Sequence, residues 1–103
     1  MDKKDLAPFA EFIGVFFFLS VILNTNFNDK IGAVGIVAAL LGAIYLVQHL
    51  SGGHLNPAVS LSMLLTNAIT TDTFWQYIIA QFLGAGLAAG VYMFVAKQIK
   101  HHK

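Results

Sequence analysis

The chain has 103 residues, of which 57% are apolar and 11% are charged, and its mean hydropathy is +0.72. A water-soluble fold, in which about 25% of residues are charged, could not cover so much apolar surface, so the composition predicts an integral, multi-pass membrane protein. A net charge of +1 without a basic patch gives no support for nucleic-acid binding, and the absence of cysteine excludes disulfides and thiol chemistry.

Two apolar runs in the first half are each long enough to cross a hydrocarbon core, which takes about 17–25 helical residues. The first span is predicted over residues 7–23, with Pro8 in its first helical turn. We expect it to be retained, because no cleavage site typical of a signal peptide follows it. The second span is predicted over residues 31–50, after a cluster of turn-forming residues at 24–29.

A polar, glycine-rich segment interrupts the apolar chain at residues 51–59, Ser-Gly-Gly-His-Leu-Asn-Pro-Ala-Val. Asn56 is a suitable N-cap and Pro57 a suitable first residue for a short helix that ends near Leu65. A helix that begins at membrane depth is tolerated only where its free backbone groups face protein or a water-filled cavity. The segment 51–65 is therefore interpreted either as a pore loop with its half-helix or as a plain helix cap in a kinked re-entrant loop.

The third span is predicted over residues 73–96, with Thr71 or Asp72 as its cap. Trp75, Tyr77 and Tyr92 near its ends are typical of aromatics at a membrane interface. Small residues are dense on the second and third spans, which indicates close helix packing. We therefore expect one all-α membrane unit over residues 1–103, with three transmembrane helices and one re-entrant half-helix.

Three segments carry a resemblance to a known family. They are the loop at 51–59, Ala-Glu-Phe-Ile-Gly at 10–14 and Ala-Gln-Phe-Leu-Gly-Ala at 80–85. They resemble the amino-terminal repeat of aquaporins and glycerol facilitators, the major intrinsic protein family, whose members carry two such loops on a chain of about double this length. The resemblance implies half of an aquaporin-like fold. It also implies a passive channel for water and small neutral solutes such as glycerol, with no cofactor and no enzymatic activity.

The resemblance also assigns roles to particular residues of the pore. Asn56 would bind the solute at the centre through its amide, within the motif Asn56-Pro57-Ala58. Glu11 and Gln81 would hold the loop by hydrogen bonds. Main-chain oxygens along the approach would come from Gly52, Gly53, His54 and Leu55. The constriction would be formed by Ile36, Ile44, Gly53 and Val59, where Val59 stands in place of the arginine that usually follows the family's second loop.

Other interpretations of two of these residues remain open. An ionisable residue within a span, such as Glu11, is a functional candidate by default, so a proton relay stands beside the role of holding the loop. His54 is either a histidine that holds the loop from behind or a pH sensor or ligand. A metal site is not predicted, because no other ligand type lies at useful spacing from His54.

A chain with one pore loop needs a second pore loop, from another chain, to complete a pore of this kind. Two antiparallel copies related by a two-fold axis in the membrane plane would supply it, and by the resemblance four such dimers would gather, giving eight chains. This requires insertion in both orientations, and the lysines permit it: Lys3 and Lys4 flank one side, Lys30 and Lys97 the other, with Lys100 and Lys103 further along the tail. The alternatives are pairing with a separate chain that carries the second loop, and a non-conducting membrane scaffold.

Overall fold

The computed structural model describes residues 2–26 and 28–101, so Lys103 of the tail lies outside the described residues. Within them the chain forms four α-helices and no strand: α1 (Lys3–Leu23), α2 (Lys30–Ser51), α3 (Pro57–Leu65) and α4 (Thr71–His101). Helices α1, α2 and α4 are long and apolar enough to cross a membrane. The predicted all-α membrane fold is confirmed.

Helix α1 begins earlier than the sequence predicts, at Lys3. The carboxylate of Asp5 accepts the N–H of Asp2 at 3.3 Å, and a negative charge in the first turn stabilises the N-terminal end of a helix. Pro8 therefore lies inside the helix, and the prediction that it occupies the first turn is wrong.

Helix α4 also begins earlier than predicted, because its cap is Thr70. The hydroxyl oxygen of Thr70 accepts the N–H of Thr73 at 3.2 Å, as the N-cap side chain of a helix does. The prediction that Thr71 or Asp72 caps this helix is therefore wrong, since both lie within it.

Helix α1 lies between α2 and α4, and in the described part of the chain no Cα atom of α2 comes within 8 Å of a Cα atom of α4. Glycine permits a close approach of α1 to α4: a Cβ on Gly84 would lie 2.6 Å from the carbonyl oxygen of Phe12. Among the described helices, the short helix α3 packs closely only against α4, and most of its other residues are exposed. The three long helices thus form one layer, and the half-helix α3 lies on the face of this layer that the described residues leave uncovered.

Candidate functional site

The buried carboxylate of Glu11 supports the loop between α2 and α3. It accepts the N–H of Leu55 at 2.8 Å and that of His54 at 3.1 Å. It also accepts the hydroxyl of Ser51 at 2.6 Å and the side-chain amide of Gln81 at 2.9 Å. All four neighbours are donors, as suits a group that offers only acceptors when ionised. Glu11 and Gln81 thus lie together against the loop.

The loop meets α1 near the middle of that helix. With 21 residues, α1 is about 31 Å long, close to the thickness of a hydrocarbon core. Glu11 lies about 12 Å from its first residue, and the side chain of Leu55 contacts α1 at Gly14, about 16 Å from the same end. The nine residues of α3, about 13 Å, lead from there toward the start of α4, which shares a cleft with Lys3. Helix α3 is therefore long enough for half of the core.

The backbone of the loop turns through left-handed conformations at three positions. Gly52 and Gly53 have φ values of 88° and 67°, which glycine adopts without steric cost. Leu55 has a φ of 54°, which is unusual for a residue with a side chain. The hydrogen bond from its N–H to Glu11 and the burial of its side chain against Gly14 hold it there. The glycines were expected from the sequence, and the strained leucine was not.

Hydrogen bonding in the loop is one-sided. The N–H groups of residues 52–55 all donate: Gly52 to the carbonyl oxygen of Gln48 at 2.8 Å, Gly53 to the hydroxyl oxygen of Ser51 at 3.1 Å, and the next two residues to Glu11. The carbonyl oxygens of residues 52–55 accept no hydrogen bond from any described residue. Four consecutive carbonyl groups of the loop are therefore without a hydrogen-bond donor among the described residues.

Asn56 ends this row of carbonyls and begins α3. Its side-chain oxygen accepts the N–H of Ala58 at 2.8 Å, which caps the helix, and Pro57 occupies the first helical position. Asn56 is exposed, and its NH2 group donates to no described residue. The N-terminal end of α3 carries about half a positive charge. Asn56 therefore presents a free donor beside the free acceptors of the loop.

Two further residues, Ser60 and Tyr77, complete the support, and the sequence analysis assigned neither of them this role. The hydroxyl oxygen of Ser60, which is fully buried, lies 2.8 Å from Nδ1 of His54 and 3.0 Å from the amide nitrogen of Gln81. The hydroxyl of Tyr77 donates to the carbonyl oxygen of Ser51 at 2.7 Å. Tyr77 is 5% exposed, so its interpretation as an interfacial aromatic is wrong. Ser60, a polar residue within the apolar half-helix, was the one feature of the sequence that could have indicated this support.

The residues expected at the constriction do not form a ring within one copy. Gly53 lies against α2 at Ile44, where a Cβ on the glycine would be 3.2 Å from the isoleucine side chain. Ile36 lies about 12 Å further back along α2. Val59 lies on α3, which α2 does not approach in the described residues. One copy therefore brings Gly53 and Ile44 together and leaves Ile36 and Val59 apart from them.

The open face beside Asn56 is apolar. A cavity of about 250 Å³ adjoins it between α1 and α4. Its lining includes Val15, Phe18, Leu19, Leu55, Pro57, Phe82 and Ala85. Within residues 2–26 and 28–101 no three histidine, aspartate or glutamate side chains form a group that could hold a metal ion. The described site thus offers main-chain oxygens and one amide, next to an apolar surface that no described residue covers.

Comparison with known proteins gives a consistent result. The family model for the major intrinsic protein matches residues 5–103. The chain is 34% identical to Nodulin-26 of Glycine max over 79% of this chain and 33% of that protein. It is 36% identical to Aquaporin PIP1-6 of Zea mays over 82% and 33%, and 32% identical to Aquaporin PIP2-7 of Musa acuminata over 82% and 35%. The chain spans about a third of the length of these curated relatives.

Proposed function

Because this chain belongs to the major intrinsic protein family, we propose that it forms a passive transmembrane channel for water and small neutral solutes such as glycerol. The family consists of multi-pass membrane channels and not of enzymes. The observation that carries the proposal is the row of unbonded carbonyl oxygens at residues 52–55, which ends at the free amide of Asn56. Such a row offers a permeating molecule a hydrogen-bond partner at each step.

Conduction needs no covalent chemistry. A water molecule donates to the carbonyl oxygens along the approach, and at Asn56 its oxygen accepts from the amide NH2. The positive end of α3 favours this orientation and opposes cations at the same point. Glu11 stays behind the loop, where its carboxylate is occupied by four donors from the protein. Glu11 thus acts as the support of the pore, and the proton-relay interpretation gains no support from these contacts.

One copy supplies one wall, so we propose that two antiparallel copies close the pore. A two-fold axis in the membrane plane would bring the second half-helix against the open face of α3, with the two Asn56 side chains near the centre. The exposed position of Asn56 and the apolar cavity beside it support this arrangement. By the family resemblance, four such dimers would assemble, giving eight chains in lipid.

The proposed bore is apolar and uncharged. In the dimer both copies would contribute Ile36, Ile44, Gly53 and Val59. An arginine at a constriction narrows a pore and repels cations, and this chain has none at all. Without that group the constriction favours small neutral solutes beside water.

The orientation of the chains tests the dimer. The natural chain has no cysteine, so a single cysteine placed at Lys3 or at Lys97 is a unique reporter. We expect impermeant maleimide added to intact cells to label part of each population, with the remainder labelled only after lysis. A cysteine in the α1–α2 connection, at Asn26, is the matched control and should show the complement of Lys3. Labelling of each terminus from one side only would contradict the homodimer and would point to a separate partner chain.

A further inference from the structure

A cleft separates the connection between α1 and α2 from the last turns of α4. We call it the terminal cleft. Its volume is about 720 Å³. Residues 23–26 line one side, and residues of α4 between Tyr92 and Lys100 line the other. None of the lining residues belongs to the loop at residues 51–59 or to its support, so the terminal cleft is separate from the proposed pore.

The terminal cleft lies at the edge of the hydrocarbon core. Helices α1 and α4 run side by side in the same direction, since Lys3 and Thr73 line one cleft near their starts. Leu23 and Tyr92, each about 30 Å further along its helix, line the terminal cleft. This distance is about the thickness of the core. Lys100 lies about 12 Å beyond Tyr92 along α4, so the terminal cleft extends into the layer of lipid headgroups.

Several hydrogen-bond acceptors at the terminal cleft are used by the chain itself. At the end of α1, the carbonyl oxygen of Ser20 accepts the side-chain amide of Asn24 at 2.8 Å. Both oxygens of Asn26 are also bonded. Its carbonyl oxygen accepts the N–H of Asp29 at 3.2 Å, and its side-chain oxygen accepts the N–H of Asn28 at 3.0 Å. Acceptors that would oppose an anion are therefore paired with donors of the chain.

Three donors at the same cleft have no acceptor among the described residues. They are the side-chain NH2 of Asn26, the hydroxyl of Tyr92 and the ammonium group of Lys100. No carboxylate of the described chain lines the terminal cleft. The side chain of Asp29, the nearest acidic residue in the sequence, accepts the N–H of Ile31 at 3.0 Å. These donors and this charge suit a ligand that has only acceptors and is negative, such as a phosphate group.

The charges at the two ends of the molecule indicate the same ligand. Among the described residues, the end with the terminal cleft carries three lysines and one aspartate: Lys30, Lys97, Lys100 and Asp29. The opposite end carries two lysines and three aspartates: Lys3, Lys4, Asp2, Asp5 and Asp72. An anion is therefore attracted to the end that contains the terminal cleft.

From this arrangement we propose that the terminal cleft binds the phosphate group of an anionic phospholipid. Lys100 pairs with the negative charge, and Asn26 and Tyr92 donate to the phosphate oxygens. The α4 side of the cleft continues into an apolar surface, where Val95 is 45% exposed and Ile99 57%. Acyl chains pack on this surface, whereas a free phosphate gains nothing from it. The site belongs to each single chain, so it does not depend on the proposed channel function.

Native mass spectrometry of the full chain in neutral detergent tests the site. At an ionic strength of about 0.15 M, attraction between exposed charges more than about 8 Å apart is largely screened. We expect dioleoyl phosphatidylglycerol to bind more tightly than dioleoyl phosphatidylcholine, which has the same acyl chains but no net charge. Lys100→Gln should weaken the binding of phosphatidylglycerol about fivefold, the effect of one lysine beside an anionic headgroup. Equal affinity for the two lipids would overturn the proposal.

Lys97→Gln is the matched control for Lys100→Gln. It removes the same charge from an exposed position of the same helix, outside the residues that line the terminal cleft. We expect it to change the affinity by less than about twofold. Equal losses in the two variants would show attraction to the whole helix end and would overturn a defined site.

A second pair of variants tests the uncharged donor. Asn26→Asp keeps the oxygen that accepts from Asn28 and replaces the free NH2 with an acceptor. Gln98→Glu adds the same negative charge on α4, outside the lining of the terminal cleft. We expect the first variant to lose clearly more affinity for phosphatidylglycerol than the second. A loss in Gln98→Glu as large as that in Asn26→Asp would remove Asn26 from the site.

Competition distinguishes a lipid from a soluble phosphate. Inorganic phosphate in large excess supplies the acceptors and the charge without acyl chains. We expect it to leave bound phosphatidylglycerol in place, because it lacks the contacts with the apolar surface. Displacement of the lipid by inorganic phosphate would show that these contacts contribute nothing and would overturn the assignment to a phospholipid.

Discussion

The carboxylate of Glu11 accepts the N–H of Leu55 at 2.8 Å, although the two residues are 44 positions apart. This bond joins the middle of α1 to a leucine in a left-handed conformation, directly before the residue that begins the half-helix. Glu11 thus holds the N–H groups of two loop residues, while the carbonyl oxygens of residues 52–55 have no donor among the described residues. The polarity of the proposed pore wall therefore depends on a side chain that the solute does not touch.

Replacing Glu11 by glutamine tests this dependence. Glutamine has one acceptor oxygen, so its NH2 group would face a donor of the loop. We expect the variant to lose about 1.5–3 kcal/mol of stability for each hydrogen bond that is broken, and to conduct less water. Unfolding in detergent and flux in liposomes measure the two effects.

Asp72→Asn is the matched control for that variant. It removes one negative charge from an exposed site in the first turn of α4, away from the loop. It should change stability by less than about 1 kcal/mol. Equal effects of the two substitutions would mean that Glu11 contributes through its charge and not through its contacts with the loop.

The close approach of α1 and α4 predicts a difference between two glycines of the same helix. A Cβ on Gly84 would lie 2.6 Å from the carbonyl oxygen of Phe12, a backbone atom that cannot rotate away, whereas Gly86 has no atom within 4 Å of its Cβ position. Gly84→Ala should lower the free energy of unfolding by about 1–3 kcal/mol, the usual effect of overpacking.

Gly86→Ala should be neutral or stabilising by about 0.5–1 kcal/mol, because alanine is the better helix former. Titration of both variants with SDS in mixed micelles measures the two free energies. A loss in Gly86→Ala as large as that in Gly84→Ala would indicate that a second copy covers Gly86.

The absence of an arginine at the proposed constriction predicts the selectivity of the channel. Val59 lies in the first turn of α3, three residues after Asn56. Val59→Arg should narrow each mouth and lower glycerol flux more than water flux, since glycerol is the larger molecule. Val59→Leu, which adds volume without charge, is the control. Equal loss of both fluxes in Val59→Arg would count against Val59 as part of the constriction.

If the pore is an antiparallel pair, chains that insert in one orientation only should not conduct alone. They should conduct when chains of the opposite orientation are added. Lysines bias the side on which a loop stays, so Asp2→Lys with Asp5→Lys should favour one orientation, and Lys30→Gln with Lys97→Gln should favour the same one. The reverse bias comes from Lys3→Gln with Lys4→Gln. Each biased chain alone should conduct poorly, and the two expressed together should conduct as the natural chain does. Full conduction by either biased chain alone would contradict the antiparallel pair.

The sequence could predict what depends on local signals. Asn56 and Pro57 mark the start of the half-helix, and apolar runs mark the three spans, because capping and hydropathy act over a few neighbouring residues. The family resemblance stated from three short segments is confirmed by the match over residues 5–103. The starts of α1 and α4 were predicted too late in the chain. The residues that bond at these helix ends, Asp5 and Thr70, have neighbours that are equally suitable for that role.

The buried support could not be predicted to the same depth. Ser60 and Tyr77 acquire their roles only when α3, α4 and the end of α2 meet, and nothing adjacent to them in the sequence marks these contacts. The left-handed Leu55 depends likewise on Glu11 and Gly14, which lie on another helix. Ile36 and Val59 illustrate the remaining limit, because the contacts proposed for them lie between copies and not within one.

The central claim is that this chain alone, in two copies, forms the pore. The most direct test is reconstitution of the purified chain into liposomes, with vesicle shrinkage followed by light scattering after an osmotic step in sucrose. We expect water flux well above that of empty vesicles and its loss in Asn56→Asp, which keeps an oxygen to cap α3 but removes the NH2 donor. Flux indistinguishable from empty vesicles, from protein whose helicity and insertion are intact, would contradict the claim.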